Sequence, residues 1–222
     1  MNSPTSKYSR VLIMTAVEAE REAVLRGLGS PDFIDVELAG VGPASAAART
    51  ARVLAGKAYG LVISAGIGGG FTDRAGIGSI VIADQLIAAD LGAETPDGFL
   101  SVDELGFGSS RLEPDLPLVR RLEEAMASAG LAVRSGAVLT VTTGTGSAQT
   151  AAALRQRYED AAAEAMEGFG VAEAARLFGL PCLEIRTISN AIGPRDRSAW
   201  RMKEAFEALE AASSILVEVL KR

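Results

Sequence analysis

The chain has no histidine and a single cysteine, Cys182. Without histidine it lacks the commonest general acid and base, the Ser-His-Asp and Cys-His arrangements, and every histidine-based metal site. The lone cysteine has no intramolecular disulfide partner. No uncharged run suits a bilayer: 135–154 is full of Thr, Ser, Gly and Gln, and 58–72 is too short and glycine-rich. Cationic excess is missing too, with Lys plus Arg 22 against Asp plus Glu 28 and a net charge of -6. Such a chain is a poor non-specific binder of nucleic acid or anionic membrane. Lys7 and Arg10 precede the apolar residues Val11 to Met14, but Glu18 and Glu20 follow at once, with no small-residue cleavage site. The expectation is a cytoplasmic protein with a flexible, polar tail over residues 1–9 and one domain over 10–222. At 222 residues, 48% apolar and 23% charged, that domain can bury a sizeable core. Its chemistry must rest on carboxylates, amides, hydroxyls, Arg and Lys.

Short runs rich in Val and Ile alternate with segments of helical period, the pattern of a three-layer α/β domain in which helices flank a mostly parallel or mixed sheet. Strands are expected at Val11–Thr15, Phe33–Leu38, Leu61–Ala65, Ser79–Ala83, Gly136–Val141 and Pro181–Ile188. Helices are expected at Glu18–Arg26, ended by Gly27, at Ala44–Leu54, Pro114–Ala129, Ser147–Tyr158 and Gly168–Leu177, and over the C-terminal stripe of Met202, Phe206, Leu209, Leu216 and Val219. Residues 66–70 read as a glycine-rich loop, and residues 85–113 as the longest loop-like region.

The cluster Gly40-Val41-Gly42-Pro43 follows a strand and opens a helix like a dinucleotide fingerprint, but the acidic residue expected about 20 positions on is missing. From Arg49 to Thr72 there is no Asp or Glu, so no dinucleotide cofactor is expected. The second cluster, Gly66 to Gly70 with Ile67 inside it, lets backbone N–H groups approach a ligand, against the ordinary reading of a tight turn. Glu18, Glu20 and Glu22 stand at the carboxyl edge of the first strand, where α/β ligands bind, although by themselves the residues are better explained as acids favouring the helix dipole. Glu167 lies in an alanine-rich stretch, 161–175, whose composition also suits a surface helix. Arg186, Ser189 and Asn190 close an apolar strand, although Asn there is also a good turn former.

Taken together and in order, these segments resemble the nucleoside phosphorylase and nucleosidase superfamily, most closely its methylthioadenosine/S-adenosylhomocysteine nucleosidase and futalosine hydrolase branch. The resemblance runs from about Val11 to Leu220. It is carried by Thr15 to Glu22, Ala39-Gly40-Val41-Gly42, Ser64 to Gly70, Ala165-Met166-Glu167-Gly168 and Arg186-Thr187-Ile188-Ser189-Asn190. Leu91 to Phe99 and Glu104 to Gly108 look like the futalosine hydrolase subgroup. The resemblance implies that Glu20 positions and deprotonates water, that Glu167 accepts hydrogen bonds from ribose hydroxyls and that Met166 packs under the sugar. It adds Gly66, Ile67, Thr142 and Ser189 as substrate-binding residues. The chemistry agrees, because an N-glycosidic bond breaks through an oxocarbenium-like sugar that a base and an anion both stabilise. Neither a metal nor a cofactor is needed.

Where adenine-specific members carry Asp, this chain has Asn190. An amide donates N–H to a 6-oxo group and accepts from protonated N7, so Asn190 favours hypoxanthine or guanine; a mismatched edge would cost about 1 to 3 kcal/mol. That substitution leaves the leaving purine without a carboxylic acid, and its proton must come from solvent or a 6-oxo tautomer. The resemblance therefore implies hydrolysis of futalosine with release of hypoxanthine, in menaquinone biosynthesis. Glu18 and Glu20 stand where phosphorylases of the superfamily carry an arginine, and carboxylates repel phosphate. The alternatives are a purine nucleoside phosphorylase, a methylthioadenosine/S-adenosylhomocysteine nucleosidase and, from another class, a non-catalytic nucleoside-binding domain. In the loop Gly193 to Arg197, followed by Trp200, Arg195 or Arg197 matches the carboxylate of futalosine's benzoate arm. For the face of the base the resemblance points to 142–146, where the family often has an aromatic that this chain lacks; Phe169 is a substitute or a core residue. A homodimer or higher homo-oligomer is also implied, with Phe99 and Phe107 as candidate contacts.

Overall fold

The structure, a computed structural model, describes residues 8–221. Strand β1 (Val11–Thr15) leads to helix α1 (Glu18–Leu28), β2 (Ile34–Leu38) to α2 (Pro43–Gly56), and the long strands β3 (Leu61–Gly70) and β4 (Ile80–Ala88) follow. A hairpin of β5 (Gly92–Thr95) and β6 (Gly98–Ser101) and a short β7 (Arg111–Leu112) precede α3 (Leu116–Ser128). The chain then runs β8 (Val133–Thr140), α4 (Ala148–Arg157), β9 (Ala161–Ala165), α5 (Gly168–Leu177), β10 (Cys182–Ala191) and α6 (Met202–Leu220).

The main sheet has the order β10-β4-β8-β9-β3-β1-β2, with β7 on β4, and β10 also pairs with β3, so the path closes on itself. Strand β3 is parallel to β1 and β10, and β4, β8 and β9 run parallel to one another; β10·β4 and β3·β9 are antiparallel. The mixed α/β architecture expected from the periodicity is the one found. Alternate residues of the inner strands serve opposite faces. Val11, Ile13, Leu61 and Ile63 pack with α1, α3 and α6, whereas Leu12, Met14 and Val62 pack with α2 and α5. Burial on both sides explains why these strands read as unbroken apolar runs.

Several boundaries differ from the sequence expectations. Gly66 to Gly70 is not a loop but the second half of β3, held along one edge by β10. Ala161–Ala165 is a buried strand, not a helix: alanine is the best helix former, yet its small side chain also fits a crowded sheet interior. Residues 85–113 are largely structured by the extension of β4, the β5–β6 hairpin and β7. Helix α1 runs past Gly27 to Leu28 and stops at Gly29, whose φ of 70° suits glycine. Of the expected N-terminal tail, residues 1–7 lie outside the described residues, but Tyr8 is buried in the core. Among the described residues no helix is long and apolar enough to cross a membrane.

One feature of β3 positions everything that follows. Along its edge away from β10, it pairs with β1 through Leu61–Ser64 and with β9 only at Gly69 and Gly70. Between these ladders the edge is open, a switch point of the kind where α/β folds bind ligands.

Candidate active site

Glu20 fills that opening. As the third residue of α1 it reaches back to the helix start, where its Oε2 accepts from the N–H groups of Ala16 (2.8 Å) and Val17 (3.2 Å). This is half of a capping box, a role at the helix start beside the dipole interaction read from the sequence. Its other oxygen does something further. Glu20 Oε1 accepts from Ile67 N–H at 2.9 Å, using a β3 donor in the open stretch. A Cβ on Gly66 would lie 2.5 Å from that oxygen, so the approach requires glycine.

Behind Glu20 lies Arg186 of β10, 1% exposed, whose Nη2 donates to Ser64 Oγ at 2.8 Å. Its Nε donates to Glu184 Oε1 at 2.8 Å and its Nη1 pairs with Glu167 Oε2 at 3.3 Å. Glu167 Oε1 accepts from Gly42 N–H at 3.2 Å, which ties in the first glycine cluster. One guanidinium thus faces Glu20, Glu167 and Glu184, which are 3%, 6% and 0% exposed. Burial raises the pKa of Glu20; the Arg186 charge and the Ile67 N–H oppose it. Glu184 is raised for the same first reason, and its Oε2 has no hydrogen-bond partner among the described residues.

Above this cluster is a cavity of about 360 Å³, reached by the carboxyl ends of β1, β2, β3, β8, β9 and β10. Such a volume suits a small organic ligand. Glu20, Ile67, Met166, Glu167, Ser189 and Asn190 all line it. Asn190 Nδ2 donates to Ala191 O (2.9 Å) and its Oδ1 accepts from Ser189 Oγ (2.9 Å), leaving one N–H and one lone pair for a ligand. At the rim, the Arg195 guanidinium lies 5.1 Å from the Trp200 ring centre, and both residues line the cavity.

The model of the phosphorylase superfamily matches residues 31–221. The chain belongs to that superfamily. It is 51% identical to the futalosine hydrolase of Streptomyces coelicolor, over 95% of this chain and 96% of that one. Its identity to the futalosine hydrolase of Acidothermus cellulolyticus is 47%, over 90% of each. Among solved structures, the native futalosine hydrolase of Helicobacter pylori aligns with a TM-score of 0.78 at 18% identity, over 96% of this chain and 97% of that one.

For this superfamily member the structure brings Glu20, Ile67, Met166, Glu167, Ser189, Asn190 and Arg195 to one cavity. Gly66 lies beneath the Glu20 carboxylate and outside the lining. Thr142 is not part of the wall: its N–H is drawn to Asp90 Oδ2 at 2.6 Å, and the loop reaches the cavity with Gly144 and Thr145 instead. Phe169 and Arg197 are likewise outside the lining. Sequence reasoning missed Glu164, a buried carboxylate in the wall, because its alanine neighbours imitate a helix. It also missed Glu184, although a charge in an apolar strand two residues before Arg186 marks a pair on one face of that strand.

Arg186→Met is expected to cost about 3 to 5 kcal/mol, since it strands buried carboxylates; a denaturant midpoint equal to that of the parent would contradict the cluster's role. Gly66→Ala is expected to lower turnover about 10²-fold by displacing Glu20, and to lower stability by about 1 kcal/mol through the capping bonds that Glu20 makes to Ala16 and Val17. Steady-state kinetics beside a thermal melt separates these two effects.

Proposed function

We propose that this protein is a hydrolase of the N-glycosidic bond of futalosine, releasing hypoxanthine as a step of menaquinone biosynthesis, and that it works in the cytoplasm as a homodimer or higher homo-oligomer. The observation that carries the reading is the placement of Glu20. A carboxylate fixed by three backbone N–H groups opens onto a cavity that also holds Glu167 and Asn190. The near full-length identity to futalosine hydrolases supports the choice of substrate.

In this mechanism the bond between the anomeric carbon and N9 breaks with its electron pair going to the purine. Glu167 accepts the ribose hydroxyls and Met166 packs beneath the ring, while Glu20 takes a proton from the water whose oxygen bonds to the anomeric carbon. Developing positive charge on the sugar meets the surplus of carboxylates around Arg186. Asn190 offers its free N–H to O6 and its lone pair to N7–H of the departing hypoxanthine. The proton on N7 comes from solvent, since an amide has none to give. Phosphate replacing water would meet Glu20 at close range, which favours hydrolysis. Arg195, exposed at the rim and stacked near Trp200, receives the benzoate carboxylate of futalosine.

Incubation with futalosine should release hypoxanthine at the same rate with and without phosphate, as read by chromatography, and Glu20→Gln should lower kcat about 10²- to 10⁴-fold. Strict phosphate dependence would move the protein to the phosphorylases, and adenine release from methylthioadenosine would overturn the role of Asn190. Because Glu20 acts ionised and its pKa is raised, activity is lost as pH falls through that raised value. The acid limb of kcat/KM should therefore lie above 4.5, the ordinary value of the group. Arg195→Gln is expected to raise the KM for futalosine about tenfold and leave kcat unchanged; an unaltered KM would remove Arg195 from the benzoate site.

A further inference from the structure

An arginine is an awkward neighbour for a sugar that turns cationic. Arg186 does not line the cavity, yet its guanidinium lies behind two carboxylates that do. Its Nη1 meets Glu167 Oε2 at 3.3 Å. A Cβ on Gly66 would stand 2.8 Å from the same Nη1 and 2.5 Å from Glu20 Oε1, so the cation also sits close to the base. Such a charge orders both side chains. It also repels positive charge developing on the sugar, and away from water that repulsion is weakly screened. A counter-charge held outside the cavity would cancel it.

Glu184 meets that description. It precedes Arg186 by two residues on β10, which puts both side chains on one face of the strand. It is fully buried and outside the cavity lining. Its Oε1 accepts from Arg186 Nε at 2.8 Å, while Nη2 donates to Ser64 Oγ at 2.8 Å. Bonds on Nε and Nη2 together fix the guanidinium plane and so aim Nη1 at Glu167. The Glu184 carboxyl packs on the first residue of α5, where the helix dipole favours an anion. A Cβ on Gly168 would overlap both carboxyl oxygens, so the residue after Glu167 must be glycine for Glu184 to fit. Burial pushes the pKa of Glu184 up and Glu167 adds to this, whereas the charge and hydrogen bond of Arg186 favour the carboxylate. Bond cleavage as derived above gives Glu184 no contact with substrate.

We propose that Glu184 is a positioning residue for the reaction. By binding Nε it fixes Arg186 and offsets its charge, so that the guanidinium holds Glu167 without opposing the positive charge that forms on the sugar. The inference rests on the nucleosidase reading above and adds to it the group that makes a buried arginine compatible with that chemistry.

Two ligands isolate the charge: 9-deazainosine, a carbon-linked nucleoside that cannot be cleaved, and its analogue with a protonated nitrogen in place of the ring oxygen. Their Kd values are measured by calorimetry on the parent and on Glu184→Gln, beside kcat and KM for futalosine. Glutamine keeps an acceptor for Nε and removes the charge. The parent is expected to bind the cationic ligand more tightly than the neutral one, and Glu184→Gln should lower that preference roughly tenfold. On futalosine, kcat should fall by a similar factor while KM stays within about twofold. An unchanged preference, or an equal loss for both ligands, would overturn the proposal and leave Glu184 as a structural partner of Arg186. Should Glu184→Gln not fold, the double variant Glu184→Gln with Arg186→Met removes both charges and leaves neither ion alone. Its preference for the cation should stay within about threefold of the parent, and a tenfold fall would contradict the cancellation. A parent that releases no hypoxanthine from futalosine would instead sink the nucleosidase reading, whatever the ratio of the two ligands.

Discussion

The site is organised by one buried charge that is outnumbered. Arg186 faces Glu20, Glu167 and Glu184 with almost no access to water, and its three nitrogens are committed to Glu184, Glu167 and Ser64. Ion pairs so far from solvent contribute little to stability, because desolvation offsets their attraction. Here one cation faces three buried carboxyl groups, and burial works against full ionisation of Glu20 and Glu184. The arrangement gains most when a further positive charge arrives beside Glu20 and Glu167. An N-glycosidic substrate generates that charge at its transition state, so the field is set before the reaction begins and needs no reorganisation during it.

The backbone that makes room for this cluster is equally particular. Strand β3 changes partner from β1 to β9 part-way along its length, and the residues between carry N–H groups that no neighbouring strand uses on that side. Ile67 gives its N–H to the base, and the missing side chain of Gly66 admits the carboxylate. A more regular strand would saturate its own ladder and leave Glu20 to solvent.

How much of this is legible in the sequence differs between levels. Strands buried on both faces announce themselves as Val and Ile runs, α3 by its apolar stripe and α4 by its cap Ser147, so the α/β architecture is readable. Most of the cavity wall is readable as well, because Glu20, Met166, Glu167 and Asn190 fall in motifs with a recognisable order. What escapes is whatever depends on pairing across the sheet. Glu164 is hidden in Ala161–Ala165, where intrinsic propensity favours a helix and only the neighbouring strands decide otherwise. The extension of β3 through its glycines is invisible for the same reason: local rules read a turn, and β10 imposes a strand. Thr142 illustrates a finer limit, since a single hydrogen bond to Asp90 decides which residue of a loop faces the cavity.

Glu20 closes the first turn of α1 with the same carboxylate that opens onto the cavity. Folding and turnover therefore draw on one side chain, and neither can drift without the other. A lineage that abandoned catalysis while keeping this architecture would first have to find another way to begin that helix. Retention of an acid here in a descendant is thus weak testimony for activity. Its replacement together with a new Ser, Thr or Asp at position 17 would be the mark of a fold that has given up its chemistry.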